Sequence, residues 1–291
     1  KSSYNLMGML GASSDVEPDS TNDTSVEVPE MQSVQGLLSV FDSNDLVSFR
    51  NYMDEHPDDF LPYSKAIEYV YDVTPIIFRK DGDGYLKINP NNLFSKLGFT
   101  TNAFMDMGSF SMDIFHELPE TDDMYKNDYE IKTGRWPEKA DECVVVLNTN
   151  GSVTDFELYM LGLKDEAELE KMLDEVDKDG KITTESTPGN WKYEDFIGIK
   201  MKAVSAADCY SYDEAHDTFV DRSSDETFMN KVAEEGKELT VVGVAQVKEA
   251  SLANLLSDGI WYTRGLANEL VNDAADSQIV KAQLASPDRN V

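Results

Sequence analysis

Glu142-Cys143-Val144-Val145-Val146-Leu147 holds the densest apolar run of the chain, Cys143 to Leu147, and reads as a buried strand. Just upstream lies Tyr129 to Gly134, then the turn-forming Gly134-Arg135-Trp136-Pro137. Downstream, Leu239 to Ala245 and Phe196 to Val204 have the β-branched content of strands. On the N-terminal side, Pro75 to Lys80 and Tyr85 to Ile88 flank Asp81-Gly82-Asp83-Gly84. That is a hairpin signature, because glycine supplies the positive φ that a tight turn needs. Further strands are expected at Ala66 to Val73, Ser109 to Phe115 and Gln278 to Leu284.

Helices are interspersed among these strands. Ser43 is expected to cap a helix with Leu46, Phe49 and Met53 on its apolar face. Asn91 to Leu97 is expected to form a short helix, and Leu169, Met172, Leu173 and Val176 mark one face of another. Thr154 and Glu157 form a capping box that opens a helix closed by Gly162. Ser223 or Ser224 is expected to cap a helix burying Phe228 and Val232 and ending before Gly236. Thr263 is expected to cap one running through Leu266, Leu270 and Val271. Strands and helices alternate without a regular βαβ rhythm, so the expected class is α+β.

The 291 residues carry 25 Lys and Arg against 56 Asp and Glu, a net charge of −31. That charge argues against a nucleic-acid partner and against an anionic membrane surface, since both need clustered cations. It suits a soluble surface and attracts cationic peptides. The 41% hydrophobic content is enough for a sizeable core. No apolar run approaches the roughly 20 residues that span a bilayer. Residues 13–30 hold six acids, two prolines and no base, and residues 1–30 are expected to be a disordered acidic linker. A start at Lys1 is expected of a mature or excised segment.

Several short motifs suggest chemistry, and each has a structural alternative. Asp177-Lys178-Asp179-Gly180 resembles half of a calcium loop, but the position needing a bidentate Glu holds Ser186. His116-Glu117-Leu118-Pro119-Glu120 resembles half of H-E-x-x-H, with Glu120 replacing the second ligand and Pro119 opposing the helix. His56, His116 and His216 are expected to be solvated. Cys143 reads as a packed apolar side chain, and a disulfide to Cys209 stays open as an alternative. No nucleophile elbow, P-loop or dinucleotide fingerprint occurs. Trp191-Lys192-Tyr193 and Trp261-Tyr262 are expected in core or turn packing rather than as a ligand platform.

Two stretches carry a resemblance. One runs from Tyr129 through Gly134-Arg135-Trp136-Pro137 to Glu142-Cys143-Val144-Val145-Val146-Leu147. The other is Leu239-Thr240-Val241-Val242-Gly243-Val244-Ala245 followed by Gly259-Ile260-Trp261-Tyr262-Thr263. In this order they resemble the extracytoplasmic, MacB-like periplasmic core domain of MacB/FtsX-type ABC transporter permeases, in the long Gram-positive version. Asn44-Asp45-Leu46 with Phe49, and Ser277 to Gln283, resemble the same proteins. The segment at roughly 150–235 is extra relative to the Gram-negative type.

The resemblance implies a porter-like α+β subdomain from residues 31–115 and 250–291, with a mostly β, Sabre-like subdomain inserted at 116–249. It implies transmembrane helices on both sides of this chain, a cytosolic ATP-binding subunit and a second permease subunit as partners. It places the chain at the extracellular face of the cytoplasmic membrane. The implied function is mechanical: coupling ATP-driven helix motion to export or release of a peptide, lipoprotein or antibiotic-type substrate. On this reading the chain is no enzyme, has no cofactor, and has no catalytic, cofactor-binding or metal-binding residue. The alternatives are a secreted acidic binding module, for calcium or a cationic peptide, and a carboxylate-based hydrolase, which needs two carboxyls in a cleft with one pKa raised.

Overall fold

The computed structural model describes residues 45–70, 73–90, 114–164, 191–251 and 255–291. The expected linker at 1–30, the helices at 91–97 and around 169–176, and the calcium-like loop near 177–186 lie outside these residues. The chain divides into two compact units, Lys1–Lys65 and Ala66–Val291.

In the first unit, helix α1 (Leu46–Glu55) is followed by the single turn α2 (Pro57–Phe60). The N-cap is Asp45, not Ser43: its carboxylate accepts the Ser48 N–H at 2.9 Å. The expected inward face is open, with Leu46 68% and Phe49 53% exposed. Tyr52 stacks on His56 and meets Phe60 edge-on.

The second unit is mixed α+β around an eight-stranded sheet. Strands β1 (Ile76–Asp81) and β2 (Gly84–Asn89) form the expected hairpin, with Gly82 at φ +55° in its turn. The other strands are β3 (Phe115–Glu117), β4 (Tyr129–Gly134), β5 (Glu142–Leu147), β6 (Lys200–Val204), β9 (Lys237–Val247) and β10 (Gly259–Tyr262). The sheet order is β2-β1-β6-β9-β5-β10-β3, with β4 also on β9. Strand β9 runs parallel to β5, and β10 parallel to β3; the remaining neighbours are antiparallel. A separate hairpin joins β7 (Tyr210–Asp213) and β8 (Thr218–Asp221). Segment 116–249 supplies the centre of the sheet; β1 and β2 of 31–115 form one end, and at the other end β10 of 250–291 is followed by the edge strand β3, which straddles residues 115 and 116. The sheet therefore continues across the expected boundaries at 115/116 and 249/250.

Strand β5 lacks alternation because it is covered on both faces. Cys143, Val145 and Leu147 pack with Leu239, Val241, Leu266 and Leu270 on one side. Val144 and Val146 pack with Tyr129, Ala245, Leu256 and Trp261 on the other. Helix α3 (Asp155–Met160) carries the expected capping box, and Gly162 follows it at φ +74°. Helix α4 (Glu226–Glu235) is capped by Asp225, not Ser223 or Ser224; it fully buries Met229 and Ala233, and the expected Phe228 and Val232 pack, partly buried, against the same cluster. Helix α5 (Arg264–Asp276) has Thr263 at the N-cap position, as expected, but its hydroxyl donates to Lys139 O and makes no capping bond. Its Leu266, Ala267 and Leu270 are buried.

Two strand expectations are overturned. Residues 278–284 form helix α6 (Gln278–Ala285), because Ser277 accepts the Val280 N–H and starts a turn. The described part of 66–73 is irregular: the Glu68 side chain accepts the backbone N–H groups of Glu120 (3.1 Å) and Thr121 (3.0 Å). Of the strand at Phe196 to Val204, only Lys200–Val204 is extended; Tyr193–Phe196 is a 3₁₀ turn. Both cysteines are free and buried, Cys143 in the central core and Cys209 beside Phe78, Val204, Met229 and Ala233. Among the described residues no helix is long and apolar enough to cross a membrane.

Candidate functional site

The two stretches that carry the family resemblance meet in the sheet. Strand β9 has β5 on one side; its other side is shared by β6 at Lys237–Thr240 and β4 at Gly243–Val247. At the changeover β9 bulges: Cys143 pairs with Val241 and Val144 with Gly243, leaving Val242 as an extra residue. The carbonyl of Val242 accepts the Arg135 N–H at 3.0 Å. Gly134 sits opposite Gly243. A Cβ on Gly243 would stand 2.0 Å from Arg135 O, and one on Gly134, at φ +71°, 2.1 Å from Val242 O. Glycine at both positions is what lets the two backbones touch.

An ion pair fixes the turn above this crossing. Arg135 grips Glu142 with both terminal nitrogens, at 2.8 and 2.5 Å. The backbone N–H groups of Glu138 and Lys139 donate to the same carboxylate. The Arg135 hydrogen bonds outweigh burial and hold Glu142 at about 2. A second cluster ties irregular residues to the sheet end. Arg264 contacts Glu117 at 2.6 Å, Glu68 at 3.0 Å and Glu120 at 3.2 Å. Glu117 thus serves an ion pair. His116 is half-buried, not solvated: its ring lies 4.8 Å from that of Trp261 and its Nε2 3.3 Å from Ser257 Oγ. His56 and His216 are exposed. Among the described residues no group of three or more His, Cys, Asp or Glu is gathered as for a metal ion.

The carboxyl raised among the described residues is Glu157, and it is sealed at 1% exposure. Burial is the main cause, opposed by hydrogen bonds from Thr154 and reinforced by Asp258. Its Oε2 accepts the Thr154 N–H at 2.6 Å and hydroxyl at 2.8 Å, while Oε1 has no partner. A raised carboxyl binds its proton more tightly folded than unfolded. It therefore costs stability as pH climbs above the ordinary Glu value of about 4.3. Glu157→Gln keeps an acceptor for the cap and removes the charge. The variant is expected to match or exceed the parent in urea midpoint at neutral pH, with the difference vanishing near pH 4. A loss of equal size at both pH values would refute this role.

A groove of about 530 Å³ opens on the second unit. Its walls are the β7–β8 hairpin (Tyr210, Tyr212, Phe219), α4 (Phe228, Lys231, Val232, Glu235) and the α5–α6 junction (Leu270, Asp273, Ile279). Tyr210 and Tyr212 occupy alternate positions on one face of β7 and are 39% and 45% exposed. That alternation of aromatics is the signal sequence reading passed over. Trp191 and Tyr193 are also partly exposed, at 37% each, whereas Trp261 and Tyr262 are buried as expected.

No family model, curated protein or solved structure matches this chain.

Proposed function

We propose that this chain is the extracytoplasmic domain of a MacB/FtsX-type ABC transporter permease, lying at the extracellular face of the cytoplasmic membrane. The observation that supports this best is the Gly134–Gly243 crossing. The two family-like stretches are far apart in sequence, yet they fold into adjacent strands β4, β9, β5 and β10.

In this reading the domain makes and breaks no bonds. Membrane helices flanking it, moved by a cytosolic ATP-binding subunit and paired with a second permease subunit, move it as a body. That motion exports or releases a peptide, lipoprotein or antibiotic-type substrate. A sheet covered on both faces and cross-braced at Arg135–Glu142 is suited to passing force without deforming. The family's two-part layout would take the form of one shared sheet, Sabre-like strands in the centre and porter-like strands at the ends. A secreted binding module is the second reading, and the aromatic groove favours it.

Location is the first consequence to check. A protease site placed in the exposed Glu214-Ala215-His216 turn of the full-length protein is expected to be cut when protease is added to intact cells, with the product retained on washed cells. Protection until lysis would overturn the proposal; a product released by washing would favour the secreted module.

A further inference from the structure

We propose that the groove between the β7–β8 hairpin and helices α4 to α6 binds a basic segment of a partner polypeptide that also carries apolar side chains. The β7–β8 hairpin pairs with no other strand among the described residues. A lone two-stranded hairpin gains stability from packing, yet this one leaves Tyr210 and Tyr212 substantially open. Tyr212 stacks on Phe219 at 5.2 Å between centroids, and its hydroxyl donates to Asp217 at 2.6 Å. Together with Val232 and Ile279 these rings make an apolar surface facing solvent.

The charge around that surface selects the partner. Asp208, Glu235 and Asp273 line the groove. The hairpin tip adds Asp213, Glu214 and Asp217, and the hydrogen bond to Asp217 pushes the Tyr212 phenol up. Lys237 pairs with Asp273 and with Glu269, which leaves Asp208 and Glu235 against Lys231, so the lining carries an excess of one negative charge. Aromatic faces backed by carboxylates attract ammonium and guanidinium groups. The wall already shows this preference, since the Arg222 guanidinium lies 4.9 Å from the centre of the Phe228 ring. The groove is open to solvent, whereas small-molecule sites enclose most of their ligand. A chain segment laid across it would gain contacts along its length. The binding needs no membrane helix and no ATP, so it stands apart from the permease reading.

The test is calorimetric titration of the full chain at physiological salt. One titrant is a short peptide of Arg and Leu; the other has Glu in place of Arg. The Arg-Leu peptide is expected to bind saturably and the Glu-Leu peptide not at all. Tyr212→Ala and Glu235→Lys, both at exposed positions, are each expected to weaken binding about tenfold. Asp58→Asn with Asp59→Asn, in the other compact unit, is expected to leave it unchanged. Should Tyr212→Ala loosen the hairpin, Glu235→Lys on α4 still decides. Equal binding by the groove variants and the parent, loss in the Asp58/Asp59 variant instead, preference for the Glu-Leu peptide, or no heat with either peptide would each overturn the proposal.

Discussion

Gly243→Ala is expected to lower the melting temperature by about 10 °C or more, a cost of about 3–5 kcal/mol for a unit of this size. The added methyl would stand 2.0 Å from Arg135 O, 2.9 Å from Arg135 C and 3.1 Å from Arg135 N. All three are backbone atoms, so no side chain can rotate away. The backbone itself is pinned: Arg135 N donates to Val242 O, and the Arg135 guanidinium is clamped on Glu142. Relief requires β4 and β9 to part, which opens the bulge and exposes the Val144 and Ala245 core beside it. Gly82→Ala is the internal comparison. Gly82 also has a positive φ, +55°, but a Cβ there meets nothing within 4 Å. Its cost is conformational alone, about 1 kcal/mol. Thermal melts of the two variants measure the difference; equal shifts would mean that the close approach contributes nothing.

The second large effect is expected from Arg264→Met. The Arg264 side chain is 11% exposed and sits among Glu117 (9%), Glu68 (15%) and the open Glu120 (74%). Its removal leaves Glu68 and Glu117 half-desolvated and mutually repelling. Breaking a buried pair from one side costs about 3 kcal/mol. The pH dependence gives the sign. Burial pushes Glu68 up, but the hydrogen bonds from Thr121 and Glu120 and the Arg264 charge outweigh it, so its pKa lies below the ordinary value. A lowered carboxyl stabilises the fold above its unfolded pKa, and the contribution is lost as pH falls through the folded value. In the variant the Arg264 charge is gone and burial favours protonation. The gap between parent and variant is therefore expected to narrow from pH 7 toward about pH 4. Urea midpoints across that range measure it, and a gap that is constant or widens would refute the pairing.

What could be read in the sequence was what short-range physics decides. The Asp81 to Gly84 turn, the Thr154–Glu157 capping box and the valine run of β5 are each settled within a few residues. Cap positions were displaced where several candidates adjoin: Asp45 and Asp225 do the work expected of Ser43 and Ser223 or Ser224. The apolar spacing at Ile279, Val280, Ala282 and Leu284 suits both a strand and a short helix, and only the Ser277 cap decides. The irregular path of 66–70 was hidden because its partners, Glu120, Thr121 and Arg264, are distant in sequence. The groove was hidden for the same reason: its walls come from a hairpin and three helices. Only the alternate Tyr210 and Tyr212 marked it locally.

The proposed permease ectodomain is tested most directly by determining the coding DNA on both sides of this segment. A permease ectodomain requires an apolar stretch of about 20 residues before Lys1, others after Val291, and an adjacent reading frame carrying a P-loop. A cleavable signal peptide immediately before Lys1 and a stop codon after Val291 would contradict it.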